Sequence, residues 1–283
     1  MTKMPTIFMP HGGGPCFFME WNPVDEWDDM AGYLRSVPAL VGQKPKAMLV
    51  ISGHWEEATV TVQSNPAPGM LFDYHGFPPH TYRLDYPAPG DPHLAARVKG
   101  LLENNGIRTA TNSGRGFDHG VFIPLMVAFP AADIPVVQLS LRTDLDPAAH
   151  IAMGEALQPL RSEGVLIVGS GMTYHNTQVM MRNIKLRGHD FRVGDAFDIW
   201  LSDTLTNPDI GQRNAQLTTW TNAPSARLAH PREEHLMPIH VVAGAAGTDV
   251  GRKTLEDTVL GAVESAFQFG GGRAGDRKIS GFS

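Results

Sequence analysis

The 283-residue chain is 42% hydrophobic and 18% charged, the balance of a folded protein with a sizeable core and not of a disordered one. A formal net charge of -6 argues against a nucleic-acid partner, and the single cysteine, Cys16, rules out an intrachain disulfide or a thiolate metal cluster, so any metal must rest on nitrogen and oxygen. The N-terminal residues lack the apolar run of a signal peptide and no segment reaches the ~20 apolar residues of a membrane span, so the expected location is the cytoplasm, with no membrane partner.

In chain order, β-branched runs predict strands at Thr6–Met9, Ala47–Ser52, Thr59–Gln63, Ile134–Leu141 and Val165–Gly169. Helical spacing appears over Pro92–Asn104, around Phe122–Phe129, over Pro147–Glu163, from Ala196 to Leu205, and after His235. This alternation predicts an α/β fold: a single domain with a central mixed sheet flanked by helices. The Pro- and Gly-rich stretch Pro66–Pro92, dense in aromatic residues, reads as a long functional loop able to wall off an apolar pocket. Residues 1–268 are expected to form the catalytic domain and residues 269–283 a mobile Gly-rich tail.

Five histidines stand at chemically telling places. His11 follows a strand and precedes Gly12, Gly13 and Gly14; it reads equally as a ligand or as a polar turn residue. His54 lies just past an apolar strand and beside Trp55, where a ligand role outweighs that of a buried histidine bonded to a carbonyl. His119 opens a helix behind Asp118, which serves either as a plain helix cap or as a group that orients its neighbour. His175 lies past a buried strand and is the best acid or base. At Glu234-His235 either the carboxylate or the imidazole is the binding group. Three of these follow strand carboxyl ends, where open α/β sheets bind their ligands, so the site is expected in that crevice. The other seven, His75, His80, His93, His150, His189, His230 and His240, read as solvated or packed, with His75 and His80 near enough to the aromatic loop to meet substrate. Dinucleotide, P-loop, serine-hydrolase and His-Glu-x-x-His signatures are absent from the sequence.

Taken together, Pro10-His-Gly-Gly-Gly-Pro, Ile51-Ser-Gly-His-Trp, Asp73-Tyr-His-Gly-Phe-Pro with Tyr86-Pro-Ala-Pro-Gly, Gly116-Phe-Asp-His-Gly, Val136-Val-Gln-Leu-Ser, Gly169-Ser-Gly-Met-Thr-Tyr-His-Asn and Glu234-His-Leu-Met-Pro resemble the class III extradiol ring-cleavage dioxygenases, within them the 4,5-DOPA extradiol dioxygenase subgroup, over roughly Pro5 to Gly247. The resemblance implies a non-haem Fe(II) held by His11, His54 and His235, with Glu234 an open alternative. It implies His175 as acid/base and His119 against substrate or oxygen. Trp55, His75, Phe77 and Tyr82 are the expected substrate contacts. The implied reaction opens a small catecholic ring with O2 to a muconic semialdehyde-type product. A third neutral ligand in place of the wider class's glutamate leaves the site one charge more positive, which makes Zn(II) an acceptable occupant of the purified protein. A zinc hydrolase or a non-catalytic binding protein on the same scaffold is the alternative. The sequence departs from the family at Gly12-Gly13-Gly14, at His75 and in the tail, which leaves the choice of catechol open. A homodimer is the expected assembly.

Overall fold

The computed structural model describes residues 3–186 and 192–271. Its strands are β1 (Thr6–Pro10), β2 (Ala47–Glu57), β3 (Val60–Gln63), β4 (Thr109–Asn112), β5 (Val136–Arg142), β6 (Val165–Gly171), β7 (Gly251–Val259) and β8 (Ala262–Phe269). Among the described residues they form one sheet in the order β4-β3-β5-β2-β6-β1-β8-β7. The central strands β5, β2, β6 and β1 run parallel, while β3 against β5, β8 against β1 and β7 against β8 are antiparallel. The sheet is therefore mixed, as the sequence implied.

Alternate residues of a strand point to opposite faces, and here each face is buried. Leu49 and Ile51 of β2, with Ile167 of β6, enter one apolar layer, whereas Met48, Val50 and Val168 enter the other. The helices that cover these faces are α1 (Asp28–Val41), α2 (Pro92–Asn104), α3 (His119–Ala128), α4 (Pro147–Leu157), α5 (Pro159–Glu163), α6 (Thr177–Leu186), α7 (Asp195–Leu205), α8 (Ile210–Thr218), α9 (Ala226–Ala229) and α10 (Met237–Ala246). Residues of α1 and α3 pack in the second layer and residues of α2, α4 and α10 in the first. Two helix starts carry Pro in the first turn behind an aspartate cap, Asp91 accepting from Leu94 N at 2.9 Å and Asp146 from Ala149 N at 2.6 Å.

The sequence reading and the structure part company at a few elements. The single stretch Pro147–Glu163 is broken at Gln158, because Pro159 offers no N–H to continue the ladder. β2 continues past Ser52 to Glu57 through a shift of register between Ile51 and Glu56, an irregularity that includes His54. Helices α1, α6, α8 and α9 and strands β4, β7 and β8 lack a sequence counterpart. β7 and β8 form a hairpin whose turn residues Leu260 and Gly261 both have positive φ, a role more often signalled by Asn-Gly. Edge strand β7 carries Arg252, Lys253, Glu256 and Asp257, which mask its strand pattern and discourage pairing with another chain. Of the expected tail, residues 272–283 lie outside the described residues, as does His189. Among the described residues no helix is long and apolar enough to cross a membrane.

Helix α10 begins just after His235 and crosses α4 at very short range. A methyl group at Gly154 would collide with the carbonyl oxygen of Val241, and one at Gly244 with that of Ile151. Both obstacles are backbone, so the helices would have to separate. Gly154→Ala is expected to cost about 1–3 kcal/mol of stability, read as a lower urea midpoint. An unchanged midpoint would show that the crossing has slack.

Candidate metal centre

Four separate parts of the chain deliver histidines to one place. His11 follows β1, His54 sits in the irregular stretch of β2, His119 opens α3, and His175 and His235 come from the segments after β6 and before α10. The approach of His235 depends on glycine: a side chain at Gly171 would strike the His235 carbonyl, and a Cβ at Gly53 would lie 3.2 Å from His235 Cα. Backbone bonds stitch the same segments together, Met172 N donating to His235 O and His11 N to Gly171 O, each at 3.2 Å. The loop to His175 is held from beneath by the buried Glu264, whose Oε2 accepts from Thr173 N at 2.8 Å and Tyr174 N at 3.3 Å. Burial pushes that carboxyl well above its ordinary range despite these donors.

The hydrogen bonds of the rings decide which nitrogens carry protons. His11 Nδ1 lies 2.7 Å from the Gly12 carbonyl, which can only accept, so Nδ1 holds the proton and Nε2 a lone pair. His235 Nδ1 faces Glu234 Oε1 at 2.9 Å, and His54 Nδ1 faces Asp73 Oδ2 at 3.5 Å. With Nδ1 the donor in both, His235 Nε2 and His54 Nε2 meet at 3.1 Å as two lone pairs. His11 Nε2 is buried and has no hydrogen-bond partner. Ligand atoms of His11, His54 and His235 all lie within 4.8 Å of one another. Proton-free nitrogens facing inward are mutually repulsive by themselves and become favourable around a cation, so the donor set fits a divalent metal that accepts imidazole.

Protonation of these rings is suppressed as well. Burial, with the neighbouring His119 adding to it, lowers the pKa of His54 to about 4. Burial and the surrounding imidazoles hold His11 and His235 well below the usual histidine range. Behind the rings stand two carboxylates that each serve two histidines. Burial works against the Asp73 carboxylate, but the hydrogen bonds from the ring and backbone N–H of His119, with the charges of His119 and His54, together outweigh it and keep Asp73 below its ordinary range. Asp73 Oδ1 accepts from His119 Nδ1 at 2.8 Å and from His119 N at 3.0 Å. Glu234 is likewise ionised against its burial by His175, whose Nδ1 lies 3.3 Å away, and by the charge of Arg232. His175 stacks on His235 with ring centroids 3.4 Å apart and remains about a quarter exposed.

The structure thus brings His11, His54, His119, His175 and His235 together, with Glu234 behind His235 at Nδ1 and outside the His11–His54–His235 group. Asp118 stands at the start of α3 but makes no cap bond with its side chain. Its carboxylate instead takes Ser52 Oγ at 2.7 Å, Arg115 Nη2 at 2.9 Å and Gln138 Nε2, while Asp73 satisfies the N–H of His119. Of the expected substrate contacts, His75 and Phe77 line a cavity of about 430 Å³ that reaches His175 and Gly12. Trp55 and Tyr82 do not line it: Trp55 is packed under the Arg115 guanidinium and bonded to Glu57, and the Tyr82 hydroxyl accepts from Phe77 N. The sequence reading gave Asp73 no role. Its position at the head of Asp73-Tyr-His-Gly carries no periodic signal, and only the folded loop sets it between two rings.

Comparison with known proteins agrees with this geometry. Residues 5–268 match the family described as the catalytic LigB subunit of aromatic ring-opening dioxygenase. The chain is 40% identical to the 4,5-DOPA dioxygenase extradiol of Beta vulgaris, over 92% of this chain and 93% of that protein. It is 34% identical to dioxygenase tasH of Hapsidospora irregularis, over 96% and 87% of the two chains. The crystal structure of an uncharacterized protein from Escherichia coli K12 superposes with a TM-score of 0.74 at 29% identity, covering 95% of this chain and all of that one. The protein belongs to the LigB family of aromatic ring-opening dioxygenases and is an extradiol dioxygenase.

Asp73→Asn replaces the acceptor shared by His54 and His119 with an amide. Metal affinity is expected to fall ~10–100-fold with the fold retained, as measured by competition with a chelator. Acidity should also act on the metal-free protein. His54 and His240 are lowered to about 4 and His230 to about 3, burial being the main cause in each. As pH falls below ~6.5 the unfolded chain takes up protons that these folded rings refuse, so stability declines toward pH ~4. The raised Glu264 opposes this trend as a single group. Thermal unfolding is expected at a lower temperature near pH ~5 than near pH ~7; equal midpoints would mean that the rings titrate normally.

Proposed function

We propose that this dioxygenase is Fe(II)-dependent, binds the metal through His11, His54 and His235, and opens a catecholic ring beside its vicinal diol to a muconic semialdehyde-type product. The observation that carries the reading is the convergence of imidazole lone pairs, enforced by acceptors on each Nδ1 and bordered by a stacked, partly exposed His175. When bound, the ferrous ion supplies Lewis acidity toward the catechol oxygens and a route for electrons between ring and O2.

The chain's own residues manage the protons and the charge. His175 has its Nδ1 directed at Glu234, which leaves Nε2 free to take a proton from a catechol hydroxyl and later to return it to oxygen. Glu234 ties the two functions together, since the same oxygen faces His175 and His235. A positive charge gained by His175 is therefore balanced at Nδ1. His119 is held by Asp73 at both its ring and its backbone N–H. With Nδ1 bonded to Asp73, its Nε2 is the nitrogen left to meet the substrate's oxygens.

The test is anaerobic reconstitution of metal-free protein with Fe(II) or Zn(II), followed by O2 uptake with catechol, 4-methylcatechol, protocatechuate and DOPA. Fe(II)-dependent, stoichiometric uptake with a yellow product is the expected outcome. No uptake with any catechol at full metal occupancy would overturn the reading in favour of zinc-dependent hydrolysis or binding. In the same assay His54→Ala is expected to lose metal and turnover together. His175→Ala should keep the metal and lose ~10²–10⁴-fold in kcat.

A further inference from the structure

We infer that the preferred substrate is a catechol bearing an uncharged, apolar substituent, and not one bearing a carboxylate or an amino-acid side chain. The inference rests on the catechol-cleaving reading above and concerns what lies beyond the ring. The cavity that reaches His175 is walled by Trp21, Phe77, Met172, Met180, Ile184 and Leu260, with the backbone of Gly12 and Gly13 at its inner end. Its polar lining among the described residues consists of His75, His175 and Thr177, with no Lys, Arg, Asp or Glu.

Arg115 and Arg232, the two arginines bonded to groups around the histidines, are engaged elsewhere. Arg115 bonds to Asp118 at 2.9 Å and to the His54 carbonyl at 3.3 Å while covering Trp55. Arg232 is paired with Glu56 at 2.5 Å and with Glu234 at 3.2 Å. Neither lines the cavity. A substituent carboxylate would lose its water there and gain no counter-charge from the described lining, a penalty that an alkyl chain avoids. A second observation points the same way. Helix α6 presents Met181 at 53% and Ile184 at 38% exposure, and both lie on the cavity wall beside the buried Met180. An apolar substituent passing along α6 would cover this surface, and thioether side chains adapt to varied shapes.

The experiment separates this inference from the dioxygenase reading by measuring binding and turnover independently. Anaerobic calorimetry on the Fe(II)-loaded protein compares 4-butylcatechol, protocatechuate and L-DOPA, and O2 uptake then gives kcat/KM for each. 4-Butylcatechol is expected to bind and to react at least ~10-fold better than either charged compound, the equivalent of one unpaired polar group in an apolar pocket. Met181→Lys, a change at an exposed rim position, should narrow the ratio of 4-butylcatechol to protocatechuate ~5-fold or more. Equal or better binding of protocatechuate or L-DOPA by the unaltered protein would overturn the inference. Preferential binding of 4-butylcatechol without turnover would uphold the pocket assignment while sinking the dioxygenase reading.

Discussion

The arrangement of this protein turns on a repulsion. Three imidazoles have their Nδ1 atoms turned toward oxygen acceptors, so their Nε2 lone pairs face one another across a few ångströms. Such an arrangement costs free energy until a cation sits among the nitrogens, and the surrounding fold is what holds it in place. Gly171 and Gly53 let the chain around His235 approach the end of β6 and the irregular stretch of β2, where His54 stands outside the regular ladder. The close α4–α10 crossing then anchors the helix that follows His235.

Charge is balanced at one remove. A site with three neutral ligands would be more positive than one with two histidines and a carboxylate. Here the carboxylates of Asp73 and Glu234 stand behind the rings, each shared between two histidines. This placement keeps the ring nitrogens oriented, offsets a divalent charge, and couples the proposed ligands to the two histidines proposed to handle protons. His54 and His119 answer to one carboxylate, His235 and His175 to the other.

Beside this polar centre the cavity that reaches His175 is largely apolar. The cavity wall of α6, Phe77 and Trp21 carries no ionised group among the described residues. Family membership gives the ring-opening chemistry, whereas Trp21, Phe77 and the α6 residues of the wall are not among the proposed metal ligands.

The strands Thr6–Met9, Ala47–Ser52 and Val165–Gly169 were legible because buried central strands of a parallel sheet are continuous β-branched runs, and the histidines just beyond their ends were legible for the same reason. Strands β7 and β8 were not, since the edge strand is charged and the turn at Leu260-Gly261 has an unusual first residue. Asp73 was also hidden, because it lies in a loop and its partners are 46 positions away at His119 and in β2 at His54. The sequence by itself determined the class of fold, the five chemical histidines and the family, since local pattern and ordered motifs carry that information. Only the tertiary structure decided that His235, and not Glu234, lies grouped with His11 and His54, which oxygen each ring's Nδ1 faces, and which residues border the cavity. Those properties are relations between atoms of distant segments, and they come into being when the chain closes on itself.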